Sequence, residues 1–310
     1  MNSSNKGIHH ITVLGGDGQR TTDFYTKTLG LRLIMKTVNQ DDPSIHHLFY
    51  VNGTGQIGSS LTFFPLPMAA QGKPGSGEVT TVSFAVPADS MEYWAERFGE
   101  KGVDFDGPFE RFGNQVYAFR DPDRLNLELV FDDNVKSVEA WDQSPVPQEF
   151  GIRGFWGSVL SLAETESTGK LLEDVFGFNK TEEDKNKVLY QTGSPVGSSI
   201  ILQKDEPRNG KTGRGTVHHI AYRAKDREEQ DMMRAEVQKR GLMPTEVIDR
   251  HFFHAVYFRS PGGVLFEIST DGPGYKQAQN EEDLGEKLFL PSWLEDRREV
   301  IEKNLPEISV

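Results

Sequence analysis

Four times along the chain, a short run of alternating apolar and polar residues gives way to an amphipathic stretch and then to three further apolar runs. Alternation with a period of two marks a half-buried strand, and apolar positions spaced by three and four mark a helix facing a core. Helical stretches run from Thr22 to Leu29, Met91 to Phe98 and Glu229 to Lys239, and close near Gly30, Gly102 and Gly241. Turn residues such as Asp121-Pro122-Asp123 and Ser260-Pro261-Gly262-Gly263 separate later runs. The pattern predicts βαβββ units at 7–67, 78–132, 152–204 and 216–270, and so an α+β fold. The stretch Gln143 to Glu149, with Pro145 and Pro147, reads as a linker, which groups the units into an N-terminal domain over 7–142 and a C-terminal domain over 150–270. Beyond Thr270 the character changes. Leu284 to Asn304 is charged and helix-prone, interrupted by Pro291, and predicts a helical tail over 271–310 that either mediates a homo-dimer or caps the fold.

The halves are copies. Phe119-Arg120-Asp121-Pro122 matches Phe258-Arg259-Ser260-Pro261, Arg111 matches Arg250, and Glu128 falls on Glu267, each pair 139 residues apart (267 − 128). The same offset joins Gly58-Ser59-Ser60-Leu61 to Gly197-Ser198-Ser199-Ile200. Self-similarity at a fixed period is a fold signal in its own right.

Charge and cysteine usage narrow the chemistry. The formal net charge is −13, which argues against nucleic-acid and anionic-membrane partners, since both reward clustered Lys and Arg. No apolar run approaches the roughly 20 residues that span a bilayer. The segment Met1-Asn2-Ser3-Ser4-Asn5-Lys6 has no apolar signal core. Cysteine is absent, which excludes disulfides and thiolate ligands and leaves His, Asp and Glu for any metal. The chain reads as cytoplasmic.

Two His-His dipeptides stand in equivalent places, Ile8-His9-His10-Ile11-Thr12 and Val217-His218-His219-Ile220-Ala221. Glu267 lies on the last strand of the fourth unit, in Val264-Leu265-Phe266-Glu267-Ile268. Neighbours in a strand point to opposite faces, so one histidine of each pair is expected in the cleft. His9 shares its face with Ile11 and Val13, whereas His10 shares with Thr12; His219 shares with Ala221 and Arg223, and Glu267 with Ser269. The less apolar face selects His10, His219 and Glu267 as metal ligands. Two imidazoles and one carboxylate form the facial set that leaves positions open on non-haem Fe(II). The middle units offer Thr80 or Thr81 in place of the second histidine and Trp156 in place of His10, so Glu128 has no imidazole partners and reads as a surface or structural residue.

With its four βαβββ units and this ligand set, the chain resembles the vicinal oxygen chelate superfamily, which includes glyoxalase I, extradiol dioxygenases and fosfomycin-resistance enzymes. The resemblance covers residues 7–270 and implies paired units whose mixed sheets curl around a metal-containing cleft. Ligands from units one and four, together with His46-His47-Leu48-Phe49-Tyr50, Phe63-Phe64-Pro65 and Ser260-Pro261-Gly262-Gly263-Val264-Leu265-Phe266-Glu267, resemble the hydroquinone-cleaving ring dioxygenases. That resemblance implies Fe(II), with Mn(II) as the overlapping alternative, a small aromatic diol and O2. It also implies supporting catalytic roles for Arg250 and Tyr257, and weaker ones for Thr12, His9 and His218. Phe63, Phe64 and Phe253 are candidate cavity walls. His46 and His47 read as structural, and Phe252-Phe253-His254 departs from a more polar stretch in relatives, which leaves His251 and His254 in the pocket or at its mouth. A glyoxalase-type isomerase, a thiol transferase and a non-catalytic quinone- or drug-binding protein are the rival functions on this fold.

Overall fold

A computed structural model describes residues 6–310; Met1–Asn5, and with them most of the segment read as lacking a signal core, lie outside the described residues. All four expected units are present. The first comprises β1 (Ile8–Gly15), α1 (Gly18–Asp23) continued by a π-helical turn over Phe24–Thr28, β2 (Arg32–Val38), β3 (His46–Val51) and β4 (Ser60–Pro65). The second comprises β5 (Glu78–Val86), α2 (Met91–Lys101), β6 (Phe105–Arg111), β7 (Asn114–Arg120) and β8 (Asn126–Phe131). The third comprises β9 (Gly154–Leu162), α3 (Glu166–Asp174), β10 (Asn179–Asp184), β11 (Lys187–Gln191) and β12 (Ser199–Lys204). The fourth comprises β13 (Thr216–Ala224), α4 (Arg227–Lys239), β14 (Ile248–Asp249), β15 (Phe253–Arg259) and β16 (Leu265–Pro273). Helix ends follow local chemistry. Asp17 and Asp226 cap α1 and α4 by accepting from the Arg20 and Glu229 amides, and Gly102 closes α2 with φ of 64°.

Within each unit the first and last strands pair in parallel, which leaves the other edge of the first strand open. These open edges pair antiparallel, β1 with β13 and β5 with β9. Two curled mixed sheets of eight strands result, ordered β14-β15-β16-β13-β1-β4-β3-β2 and β10-β11-β12-β9-β5-β8-β7-β6. The sheets therefore do not follow the sequential halves: unit one shares its sheet with unit four, and unit two with unit three. The repeated Gly-Ser-Ser motif stitches the sheets together. Phe155 N donates to Gly58 O at 2.8 Å, and Ile8 N donates to Gly197 O at 2.8 Å. Both glycines take positive φ, and a side chain at Gly197 would meet the Ile8 carbonyl at 3.0 Å.

Each central pairing carries two β-bulges, at matching places. Between Ile8↔Tyr222 and His10↔Ala221 the extra residue is His9; between Thr12↔His219 and Val13↔Val217 it is His218. In the other sheet the extra residues are Thr80 and Trp156. Register then corrects one expectation. His10 pairs with Ser60 as Gly157 pairs with Ser199, so Gly157 stands in the place of His10, and Trp156 stands in that of His9. Thr81 takes the place of His219, since Ser83 pairs with Glu128 as Ala221 pairs with Glu267. The hollow of the second sheet is filled by an apolar cluster that includes Ala85, Val116, Trp156, Leu189 and Ile201. Glu128 is buried there, held by Arg111 Nη1 at 2.6 and 2.7 Å and by Ser83 Oγ at 2.7 Å.

The tail is α-helical only at its end, in α5 (Arg298–Asn304) after a 3-10 stretch Ser292–Arg297, with short 3-10 turns at Tyr275–Gln277 and Glu281–Asp283 before it. The part before Pro291, expected to be helical, is largely irregular: Leu288 bridges to Lys36, and Phe289 N donates to Lys36 O at 2.8 Å. It covers the open edge of β2, and backbone groups used there are not free to coil. His46 lies beneath the same tail, with Nε2 2.8 Å from Pro306 O. The expected linker is packed as well, through Ser144 Oγ donating to Gly30 O at 2.8 Å. Among the described residues, no helix is long and apolar enough to cross a membrane.

Arg111→Met should lower the unfolding free energy by about 3 kcal/mol, because it strands the buried Glu128 carboxylate. Chemical denaturation checks this, and metal binding at the other sheet should be unchanged. A loss below about 1 kcal/mol would show that Ser83 alone satisfies Glu128.

Candidate metal centre

β1, β13 and β16 lie side by side, and their register brings three side chains to one point. His10 Nε2 is 3.2 Å from His219 Nε2 and 3.3 Å from Glu267 Oε2, and His219 Nε2 is 2.9 Å from Glu267 Oε2. All three residues are buried, Glu267 completely. Among the described residues, this is the group of His, Asp and Glu side chains spaced to hold a metal ion. The spacing can be tested. Ligands at roughly 2.1 Å that subtend 90° at an ion lie about 3.0 Å apart, and tetrahedral ones about 3.4 Å. The observed 2.9, 3.2 and 3.3 Å spread across both arrangements, so all three atoms can reach one ion. Glu267 Oε1 accepts from Ser269 Oγ at 2.5 Å, whereas Oε2 is buried with no hydrogen-bond partner. An orphaned buried carboxylate oxygen aimed at two imidazole nitrogens is what an absent cation would satisfy.

Electrostatics suit the same ion. Burial alone would raise the Glu267 carboxyl, but His10 and His219 outweigh it and hold it well below the usual carboxylate range. Burial lowers His219 and keeps it neutral, against the pull of Glu267. An ionised carboxylate beside neutral imidazole is the protonation state that a metal requires.

The bulges explain the paired histidines. His9 Nδ1 lies 2.9 Å from His10 Nδ1, and His218 Nδ1 lies 2.8 Å from His219 Nδ1. With Nε2 turned to the centre, the rings of His10 and His219 each donate Nδ1–H to the preceding histidine, which fixes tautomer and orientation. Simple alternation had set one histidine of each pair away from the cleft. The extra residue in each strand bends that side chain back. Burial, and then the adjacent ligand, push His218 down to about 4 and His9 well below its usual value, so both remain acceptors.

A cavity of about 420 Å³ opens beside the ligands. Its walls include Phe49, Phe64, Phe252 and Phe253, with His47, His218, Arg250 and Tyr257 among the polar groups. Tyr257 pairs with Glu267 across β15 and β16, and its ring stands edge-on to His219 at 5.6 Å. Burial, then the Glu267 charge, raises its phenol, so it stays a donor. Arg250, just beyond β14, lies over the Tyr257 ring at 5.6 Å and holds Asp41 with contacts of 3.1 and 2.9 Å. Thr12 Oγ1 is 2.8 Å from His219 Nε2. The eight residues expected as metal ligands or catalytic groups thus lie at or beside this centre.

Four assignments change. His47, read as structural, lines the cavity, with Nε2 2.9 Å from Thr62 Oγ1. Phe63, read as a wall, faces the opposite side of β4 and packs on Tyr25 and Tyr50. His251 packs on Phe289 of the tail, and His254 donates its amide to Thr270 Oγ1; neither lines the cavity. Ser269 and Thr62 were missed, although Ser269 had been placed on the Glu267 face. Thr62 pairs with Thr12 as Glu267 pairs with Ala221, so it occupies the twin of the carboxylate position.

The model of the Glyoxalase/Bleomycin resistance protein/Dioxygenase superfamily matches residues 7–129 and 153–268. The chain belongs to this superfamily. Within it, the chain is 39% identical over 305 residues to the "Putative ring-cleaving dioxygenase MhqO" of Bacillus subtilis, covering 98% of this chain and 97% of that one. It is 32% identical over 300 residues to the "Chlorohydroquinone/hydroquinone 1,2-dioxygenase" of Sphingobium indicum, covering 94% and 92%. A crystal structure titled "putative dioxygenase" from Bacillus subtilis superposes with a TM-score of 0.95 at 38% identity, covering 100% of this chain and 99% of that one. These relatives support a dioxygenase that cleaves aromatic rings.

His219→Ala and Glu267→Ala should each abolish stoichiometric divalent-metal binding, read by elemental analysis after equilibrium dialysis. Retention of one ion per chain in either variant would move the metal elsewhere. His218→Ala should keep the site but weaken it by about 10- to 100-fold, read by competition with a chelator; an unchanged affinity would reduce His218 to packing.

Proposed function

We propose that the chain is a non-haem Fe(II) dioxygenase, with Mn(II) as the alternative ion, that opens hydroquinone-type aromatic diols and incorporates both atoms of O2. One observation carries the reading: two imidazoles and a carboxylate with one unpartnered oxygen converge within reach of a single ion beside an aromatic cavity, a donor set that would leave further positions to substrate and O2. The similarity over nearly the whole chain to a chlorohydroquinone/hydroquinone dioxygenase supports the para-diol class. The acidic, cysteine-free composition supports a cytoplasmic site of action.

In this reading His10, His219 and Glu267 hold the ion, which supplies the one-electron steps that let O2 react with a closed-shell ring. Two neutral imidazoles and one carboxylate leave net positive charge at the centre, which favours a substrate hydroxyl ionised to phenolate. Phe64, Phe252 and Phe253 enclose the ring and exclude water, so the polar contacts keep their strength. Tyr257 donates a hydrogen bond to a substrate oxygen, and Arg250 stabilises anionic charge there. His9 and His218 hold the ligand rings, and Thr12 sits beside the reacting oxygen. The hydroxyls of a para-diol are not vicinal, so the cleaved bond joins a hydroxylated carbon to a neighbour without a hydroxyl, extradiol in that sense. One oxygen atom goes to each carbon. The first becomes a carboxylic acid; the second becomes an aldehyde, or an acyl group where it bears a substituent.

Fe(II)-loaded protein should consume one O2 per methylhydroquinone, and His219→Ala should consume none. Preference for catechol would overturn the para-diol class. An oxygen electrode that registers no uptake with either diol, on protein shown to hold Fe(II), would overturn ring cleavage.

A further inference from the structure

The Thr12 hydroxyl begins a path that leads away from the ligands. Its Oγ1 lies 2.8 Å from His219 Nε2 and 2.8 Å from Thr62 Oγ1, and Thr62 Oγ1 lies 2.9 Å from His47 Nε2. Both threonines are fully buried, and His47 forms part of the cavity wall, flanked by Phe49 and Phe64 with ring centroids at 4.1 and 4.4 Å. A hydroxyl donates and accepts at once, so this file of hydrogen bonds has two polarities. His219 Nε2, turned to the centre, has no proton to give, so the reversible part is Thr12–Thr62–His47: in one polarity both hydroxyls point towards the centre, in the other both point towards His47. The pseudo-symmetry of the sheet makes the file one-sided. Ala221 stands in the twin position of Thr12, and Glu267 in that of Thr62, so the fourth unit has no such path.

We propose that His47, acting through Thr62 and Thr12, takes up the proton that a hydroquinone hydroxyl releases on binding beside His10, His219 and Glu267. The inference rests on the ring-cleaving reading above. The substrate O–H bond breaks, and its proton passes to Thr12 Oγ1. Thr12 gives its own proton to Thr62 Oγ1, and Thr62 gives its own to His47 Nε2. The substrate is left as phenolate, His47 as imidazolium and both threonines as neutral hydroxyls. The passage reverses the polarity of the file, and the same file returns the proton to the product.

Other groups near the centre are committed. His9 and His218 use Nδ1 to hold the ligand rings, Glu267 faces those rings, and Tyr257 stays protonated. His47 is neutral at rest. Burial, then His10, His219 and Arg250, hold it well below the usual histidine range, with Glu267 pulling the other way. An imidazolium there is costly unless phenolate forms at the same moment, which ties the proton's arrival to substrate binding.

The test uses 2-nitrohydroquinone, whose phenolate absorbs at longer wavelength than its phenol, titrated anaerobically into Fe(II)-loaded protein. The wild type should bind the dye ionised at a pH below that at which the free dye ionises. His47→Gln can still hydrogen-bond Thr62 but cannot take a proton, and Thr62→Val is isosteric without the hydroxyl. Both should bind Fe(II) as the wild type does, yet leave the bound dye protonated until a higher pH, with kcat lower by about 10²-fold. Thr62→Ser should restore both readouts. Variants that ionise the dye at the wild-type pH overturn the relay and leave ring cleavage standing. A wild type that consumes O2 but never ionises the dye also overturns the relay alone. Absence of both overturns the relay together with the reading on which it rests.

Discussion

The antiparallel pairing of β1 with β13 is the interaction on which everything else depends. His10 and His219 meet only in that register, and a slip of one residue would exchange cleft and core side chains along the strand. The two bulges are its essential irregularity. Each inserts one histidine and bends it against the next, so a dipeptide supplies both a side chain of the cluster and its hydrogen-bond partner. The second sheet carries bulges at matching positions with Thr80 and Trp156 in them, and its hollow is filled by apolar side chains. The bulge thus belongs to the scaffold. What differs between the sheets is which residue it presents.

Burial gives the centre its chemical character. Glu267 is a fully buried carboxylate with one oxygen bound to Ser269 and the other unpartnered. Such a group destabilises a fold unless a cation compensates it, which couples ion binding to stability. The aromatic walls extend the same low-dielectric setting to the cavity, where one arginine and one tyrosine count for more than they would in water.

Much of this was legible in the sequence because it is periodic or duplicated. The 139-residue offset between Glu128 and Glu267 revealed the repeat, and the alternation around His10, His219 and Glu267 picked out three side chains that converge in the fold. The partnership of units did not follow from that reasoning. Strand pairing is set by which edges remain open, a property of the assembled unit that sequential halves do not display. A bulge is one extra residue in a strand and leaves no mark in composition, so the inward turn of His218 was missed. His47 was missed for a related reason. A histidine flanked by aromatic residues reads like core until its hydrogen-bond partner, Thr62 on a neighbouring strand, is known. The tail was misread where its backbone is spent on Lys36 and the sheet edge, a tertiary demand that overrides helix propensity.

The two sheets are nested like brackets, units two and three inside units one and four. His10 and His219 are separated by 209 residues, with the whole inner sheet between them. During synthesis, the β1 edge therefore stays open while two further units emerge, and the inner sheet can close before the outer one. The convergence of His10, His219 and Glu267 comes last: a polypeptide stopped anywhere before Glu267 can fold much of its mass and still lack the carboxylate that completes the cluster.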